Sequence, residues 1–128
     1  MLNRLLSRFT HCTHRFAKAL TRRSASSIAF DEIKVCSLDK RGRVLWQICW
    51  DEVIRICAYK VNAYIVDYIV VAFMVDGQSS YNCCTEDLVG WQELNVELAR
   101  RFGLKMEDWW PGVAFPPMAE NFTVLWER

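Results

Sequence analysis

Residues 64–75, YIVDYIVVAFMV, constrain the fold more than any other stretch of the chain. Every residue in it except Asp67 is apolar or a tyrosine, and β-branched side chains dominate, which favours a strand over a helix. As a strand it places Ile65, Asp67, Ile69, Val71, Phe73 and Val75 on one face and Tyr64, Val66, Tyr68, Val70, Ala72 and Met74 on the other. Both faces are apolar, so a central strand covered on both sides, or part of a closed sheet, is expected. Asp76-Gly77 then suits a tight hairpin turn, because both residue types tolerate positive φ. A membrane-spanning helix would need about 20 apolar residues. The run is shorter and carries an acid inside it.

Shorter strand signals surround this run. Residues 28–38 read as a first strand, 43–50 as a second and 53–61 as a third, with Ile54, Ile56 and Ala58 on one face. A helix over 50–60 is disfavoured by its β-branched content. Residues 79–85 return as a more polar strand. The pattern predicts an antiparallel meander of about five strands. Thr85 then suits a helix N-cap, with Glu86 and Asp87 in the first turn. Leu88, Trp91, Leu94, Leu98 and Phe102 form the apolar stripe and Gly103 the stop. Residues 106–110 read as a short turn before Pro111, and residues 122–126 as a last strand or extended tail. The expected class is α+β, a meander packed against one C-terminal helix. Its order of elements is similar to that of the pleckstrin-homology architecture.

Charge divides the chain. Residues 1–30 hold six Lys/Arg and no acid, whereas residues 31–128 hold ten Lys/Arg against fifteen Asp/Glu, a net −5. In the arm, residues 1–27, Leu2, Leu5, Leu6, Phe9, Phe16 and Leu20 fall opposite Arg4, Arg8, Arg15, Lys18 and Arg22 when projected at helical spacing. Three readings remain open. The arm is an organellar transit peptide, a segment lying on an anionic membrane surface through those five basic residues, or an extension of the domain. Ser24-Ala25-Ser26-Ser27 reads as a linker to a body of residues 28–128. On that reading, deleting residues 1–26 leaves the thermal midpoint nearly unchanged.

Catalytic signatures are sparse. Both histidines, His11 and His14, lie in the arm, so the body has no histidine for a Ser-His-Asp or Cys-His arrangement or a His-ligated zinc. The five glycines are isolated from one another, so no phosphate-binding loop is formed. Six cysteines, none in a CxxC pair, read as reduced and mostly buried thiols of a reducing, cytoplasmic compartment. No cofactor and no metal are expected. Asp31-Glu32, Asp51-Glu52, Glu86-Asp87 and Glu107-Asp108 can serve acid–base chemistry, which keeps a carboxylate-dependent hydrolase as a third hypothesis. Adjacent acids more often flank turns and helix starts. Trp109-Trp110, with Phe115, Phe122 and Trp126, either wraps the tail onto the sheet or marks a partner site.

Several positions also carry a family resemblance. They are Trp50-Asp51-Glu52-Val53-x-x-Ile56, Asp67, Glu86-Asp87-x-x-Gly90-Trp91, Trp109 and the ending Pro116-x-x-Ala119-x-Asn121-x-Thr123-x-Leu125-Trp126-x-Arg128. Together they resemble a group of small bacterial proteins similar to immunity-type proteins of toxin neighbourhoods. The resemblance spans about residues 31–128 and brings no catalytic residue with it. It implies a non-enzymatic protein-binding domain that neutralises a toxin, while the net −5 of residues 31–128 points to a basic protein rather than nucleic acid as partner. Glu86, Asp87, Trp109 and Trp110 are the expected contact residues. The alternative function is a membrane-associated or organelle-targeted domain directed by the arm.

Overall fold

The structure, a computed structural model, describes residues 25–62, 67–116 and 119–128. In chain order it contains β1 (Ala25–Phe30), β2 (Lys34–Asp39), β3 (Val44–Cys49), β4 (Val53–Asn62), β5 (Asp67–Val75), β6 (Asn82–Thr85), α1 (Trp91–Phe102), α2 (Met106–Ala114) and β7 (Thr123–Glu127). The class is α+β, as the pattern predicts. The single meander with one terminal helix is corrected. The strands form two antiparallel sheets, β1-β2-β3 and β6-β5-β4-β7, with two helices between β6 and β7. A short 3-10 turn at Trp50–Glu52 separates β3 from β4 and divides the strands between the sheets.

Residues 67–75 form the central strand β5. It pairs with β4 over its whole length and with β6 on its other side. Ile69, Val71, Phe73 and Val75 enter the core, together with Trp46, Trp50, Ile56, Leu94, Leu98, Trp109 and Val113. Val70 and Ala72, on the opposite face, are buried as well. Phe73 meets Trp46 and Trp50 at ring-centroid separations of 6.2 and 6.0 Å. Tyr64, Ile65 and Val66 lie outside the described residues.

Four local expectations are corrected. The Asp76-Gly77 turn is present, with Gly77 at φ 83°, but β6 begins only at Asn82. The Asn82 amide donates to the Phe73 carbonyl at 3.0 Å and to Gln78 Oε1 at 3.1 Å, holding a longer loop in place of a two-residue hairpin. Secondly, α1 starts after Gly90 and not at Thr85, because Thr85 stays paired with Val70 in the sheet. Thirdly, α2 runs through Pro111 to Ala114 instead of stopping before it. Finally, Ala25, Ser26 and Ser27 are strand and not linker: Ala25 pairs with Asp39 and Ser27 with Leu38. The Val89 N–H donates to the Ser26 carbonyl at 3.1 Å, and the Ile28 N–H to the Val89 carbonyl at 2.8 Å, tying β1 to the segment that follows β6.

Candidate functional site

The four expected contact residues belong to two segments, which meet the sheet near one rung. Glu86 follows β6. Its N–H donates to the Ile69 carbonyl at 3.0 Å, and its Oε1 accepts the Ile69 N–H at 2.9 Å. One residue thereby continues the β5 ladder beyond the end of β6. Asp87 accepts the Thr85 hydroxyl. These acids therefore close a turn and do not open a helix.

The Trp109-Trp110 pair is divided by the helix that carries it. Trp109 is buried in the core, while Trp110 is half-buried. Trp110 packs edge-to-face against Phe115, centroids 6.0 Å apart, and Phe115 is 60% exposed. Exposed Glu107 and Asp108 occupy the first turn of α2. Glu107 and Trp110 are three residues apart and so neighbours on the helix surface. An aromatic pair with an acidic margin results, and the apolar part is Trp110 with Phe115, not Trp109.

Lys60 joins the two segments, and no local motif marks it in the sequence. It lies opposite Ile69 in the β4–β5 ladder and is 2% exposed. Its Nζ donates to the carbonyls of Ala114 at 2.7 Å and Pro116 at 2.6 Å, and lies 3.8 Å from Asp67 Oδ2. The last carbonyls of α2 carry the negative end of its dipole, so a cation there is favourable. The sequence signal was the alternation Ile56, Ala58, Lys60, which places the lysine on the inward face. Asn121 completes the fastening, its Nδ2 donating to the carbonyls of Val113 at 3.2 Å and Phe115 at 2.9 Å.

The outer side of β4 carries a second polar array. Arg55 donates to Glu127 Oε2 at 2.9 Å and to the Tyr81 hydroxyl at 3.2 Å. The Cys57 thiol donates to the same hydroxyl at 3.5 Å. The Tyr59 hydroxyl lies 3.5 Å from Cys83 Sγ, and Phe122 stacks on the Tyr59 ring at 5.8 Å. Burial pushes both the Cys57 thiol and the Tyr59 phenol above their ordinary values. Both stay protonated near neutral pH, which suits packing and not nucleophilic or general-base chemistry.

The paired acids occupy turns and helix starts. Asp31 accepts the N–H groups of Ile33 and Lys34 at 2.8 and 2.9 Å, and these bonds hold its carboxyl below the ordinary range. Asp51 and Glu52 lie exposed in the 3-10 turn. Cys36, Cys49, Cys57 and Cys84 are free thiols. Among the described residues no group of three or more His, Cys, Asp or Glu is placed to hold a metal ion, and no helix is long and apolar enough to cross a membrane. Arg4, Arg8, Arg15, Lys18 and Arg22, the residues of the membrane-surface reading, lie outside the described residues. No protein-family model, curated protein or solved structure matches the chain.

Proposed function

We propose that this chain is a non-enzymatic, cytoplasmic protein-binding domain, of the kind that neutralises a toxin as an immunity protein. The observation that carries the reading is the Trp110–Phe115 pair: a large aromatic side chain held out to solvent against a second ring, beside exposed Glu107 and Asp108. Aromatic side chains anchor interfaces by filling a pocket on the partner, and acids at the rim govern the rate of encounter and its salt dependence. The net −5 of residues 31–128 favours a basic partner. On this reading Glu86 and Asp87 add a second acidic pair to the contact residues.

The test is a pull-down from the native host with the full chain and with Phe115→Ala. Expected is one protein recovered by the parent and lost by the variant, with circular dichroism unchanged between them. Equal recovery by both would remove the aromatic pair from the interface. Equal affinity of a Glu86→Lys, Asp87→Lys variant would remove the acidic pair. Turnover of any substrate by the purified protein would overturn the non-enzymatic reading.

A further inference from the structure

The sheet β6-β5-β4-β7 has one face in the core. Its other face carries Cys57 and Tyr59 from β4, Val70 and Ala72 from β5, and Cys83 from β6. These residues alternate with the core residues Ile56, Ala58, Val71 and Cys84. The three-stranded sheet contributes Val35, Trp46 and Ile48 to the core, and the helices contribute Trp91, Leu94, Leu98, Trp109 and Val113. Those elements therefore all pack on the inner side. On the outer side the described contacts come from the rings of Tyr81 and Phe122 at the margin. Yet Cys57 and Ala72 are 0% exposed and Val70 1%. An alanine in mid-sheet is sealed that completely only beneath a covering layer.

We propose that the N-terminal arm, residues 1–24, is that layer and docks its apolar stripe on the outer face of the four-stranded sheet. Three observations select it. The arm joins the body at the right edge, since Ser26 is bonded to Val89, just after β6, and β6 borders the sheet. Its length suffices: three strand spacings amount to about 14 Å, and 24 residues at helical rise span about 36 Å. Its chemistry is complementary, with Leu2, Leu5, Leu6, Phe9, Phe16 and Leu20 on one side for the apolar face. The arm is thereby part of the domain instead of a separable extension.

The readout is alkylation of Cys57 by N-ethylmaleimide, followed by peptide mass spectrometry. Deleting residues 1–24 leaves β1 whole. The deletion is expected to raise the Cys57 rate at least tenfold, and synthetic peptide 1–24 to restore protection. Should the deleted chain not fold, full-length Phe9→Asp and Arg8→Glu keep the question open to test. The first is expected to raise the Cys57 rate, the second to leave it near that of the parent. A Cys57 rate unchanged by Phe9→Asp overturns the proposal. So does protection that disappears on dilution, which would make the cover a second copy. An arm that binds anionic phospholipid vesicles while Cys57 reacts equally with and without it belongs to a membrane surface, and overturns the proposal too.

Discussion

The ammonium of Lys60 donates to the main-chain carbonyl of Ala114 at 2.7 Å, across 54 residues of sequence. This bond fastens the end of α2 to the middle of the sheet, and the position of Phe115 depends on it. Replacing Lys60 by Met keeps the aliphatic stem but leaves the Ala114 and Pro116 carbonyls without their donor. A loss of at least roughly 1.5–3 kcal/mol is expected, the range for a hydrogen bond to a charged group. Urea denaturation measures it, and a change below about 0.5 kcal/mol would show that the bond is replaced by water.

Phe73 is fully buried between Trp46 and Trp50. Phe73→Ala is expected to cost roughly 3–5 kcal/mol, from lost burial plus the cavity left behind. A loss under about 1 kcal/mol would mean that the core collapses around the site far more readily than close packing allows.

Gly90 enters α1 at φ 99°, and a Cβ there would lie 2.5 Å from the Ile28 carbonyl oxygen. Gly103 is also left-handed, at φ 71°, but a Cβ there meets nothing within 4 Å. Gly103→Ala should therefore cost only the conformational strain, roughly 1 kcal/mol, the lower end for such positions. Gly90→Ala should cost more, because it also displaces β1 from Val89. Thermal unfolding of the two variants checks the order, and equal midpoints would count against the close approach.

Glu97 accepts from Arg100 at 2.5 Å and from Arg101 at 2.5 Å, and these bonds, the Arg100 bond foremost, lower its pKa below the ordinary value of 4.5. A carboxylate with a depressed folded pKa adds stability above its unfolded value. That contribution fades as the pH falls through the folded one. Glu97→Gln should thus flatten the acid limb of the stability–pH curve below about pH 4.5, the ordinary value that marks the window. The variant and parent curves should run parallel between pH 6 and 8, a range in which roughly all of this carboxylate is ionised. Superimposable acid limbs would remove Glu97 from the titration.

Much of the fold is legible because side-chain period and burial agree. The alternation through residues 69–75 places each face correctly, and Trp91, Leu94 and Leu98 define the buried stripe of α1. The errors arise where one side chain overrides a local pattern. Thr85-Glu86-Asp87 has the composition of a helix start, but Ile69 offers Glu86 two ladder bonds and the chain stays extended for longer. Ala25-Ser26-Ser27 has the composition of a linker, but Val89 and β2 supply its hydrogen bonds. The candidate site is legible in part. Adjacency of acid and tryptophan is visible in Glu107–Trp110, whereas the division of Trp109 inward and Trp110 outward follows from the helix phase, and α2 was expected to stop before Pro111. Lys60 is not legible as a fastening residue because a charged residue is rarely fully buried unless paired, and its partners lie 54 and 56 residues away.

The place of β7 bears on how the chain matures during synthesis. Arg55 and Glu127, bonded across β4 and β7, are 72 residues apart. At about 5–20 residues per second, β4 leaves the ribosome several seconds before the strand that borders it exists. During that interval its backbone edge is open and adhesive, as any unpaired strand edge is. A nascent chain stalled between β6 and β7 would hold most of the core and still display this edge, the species from which misassembly is most readily seeded.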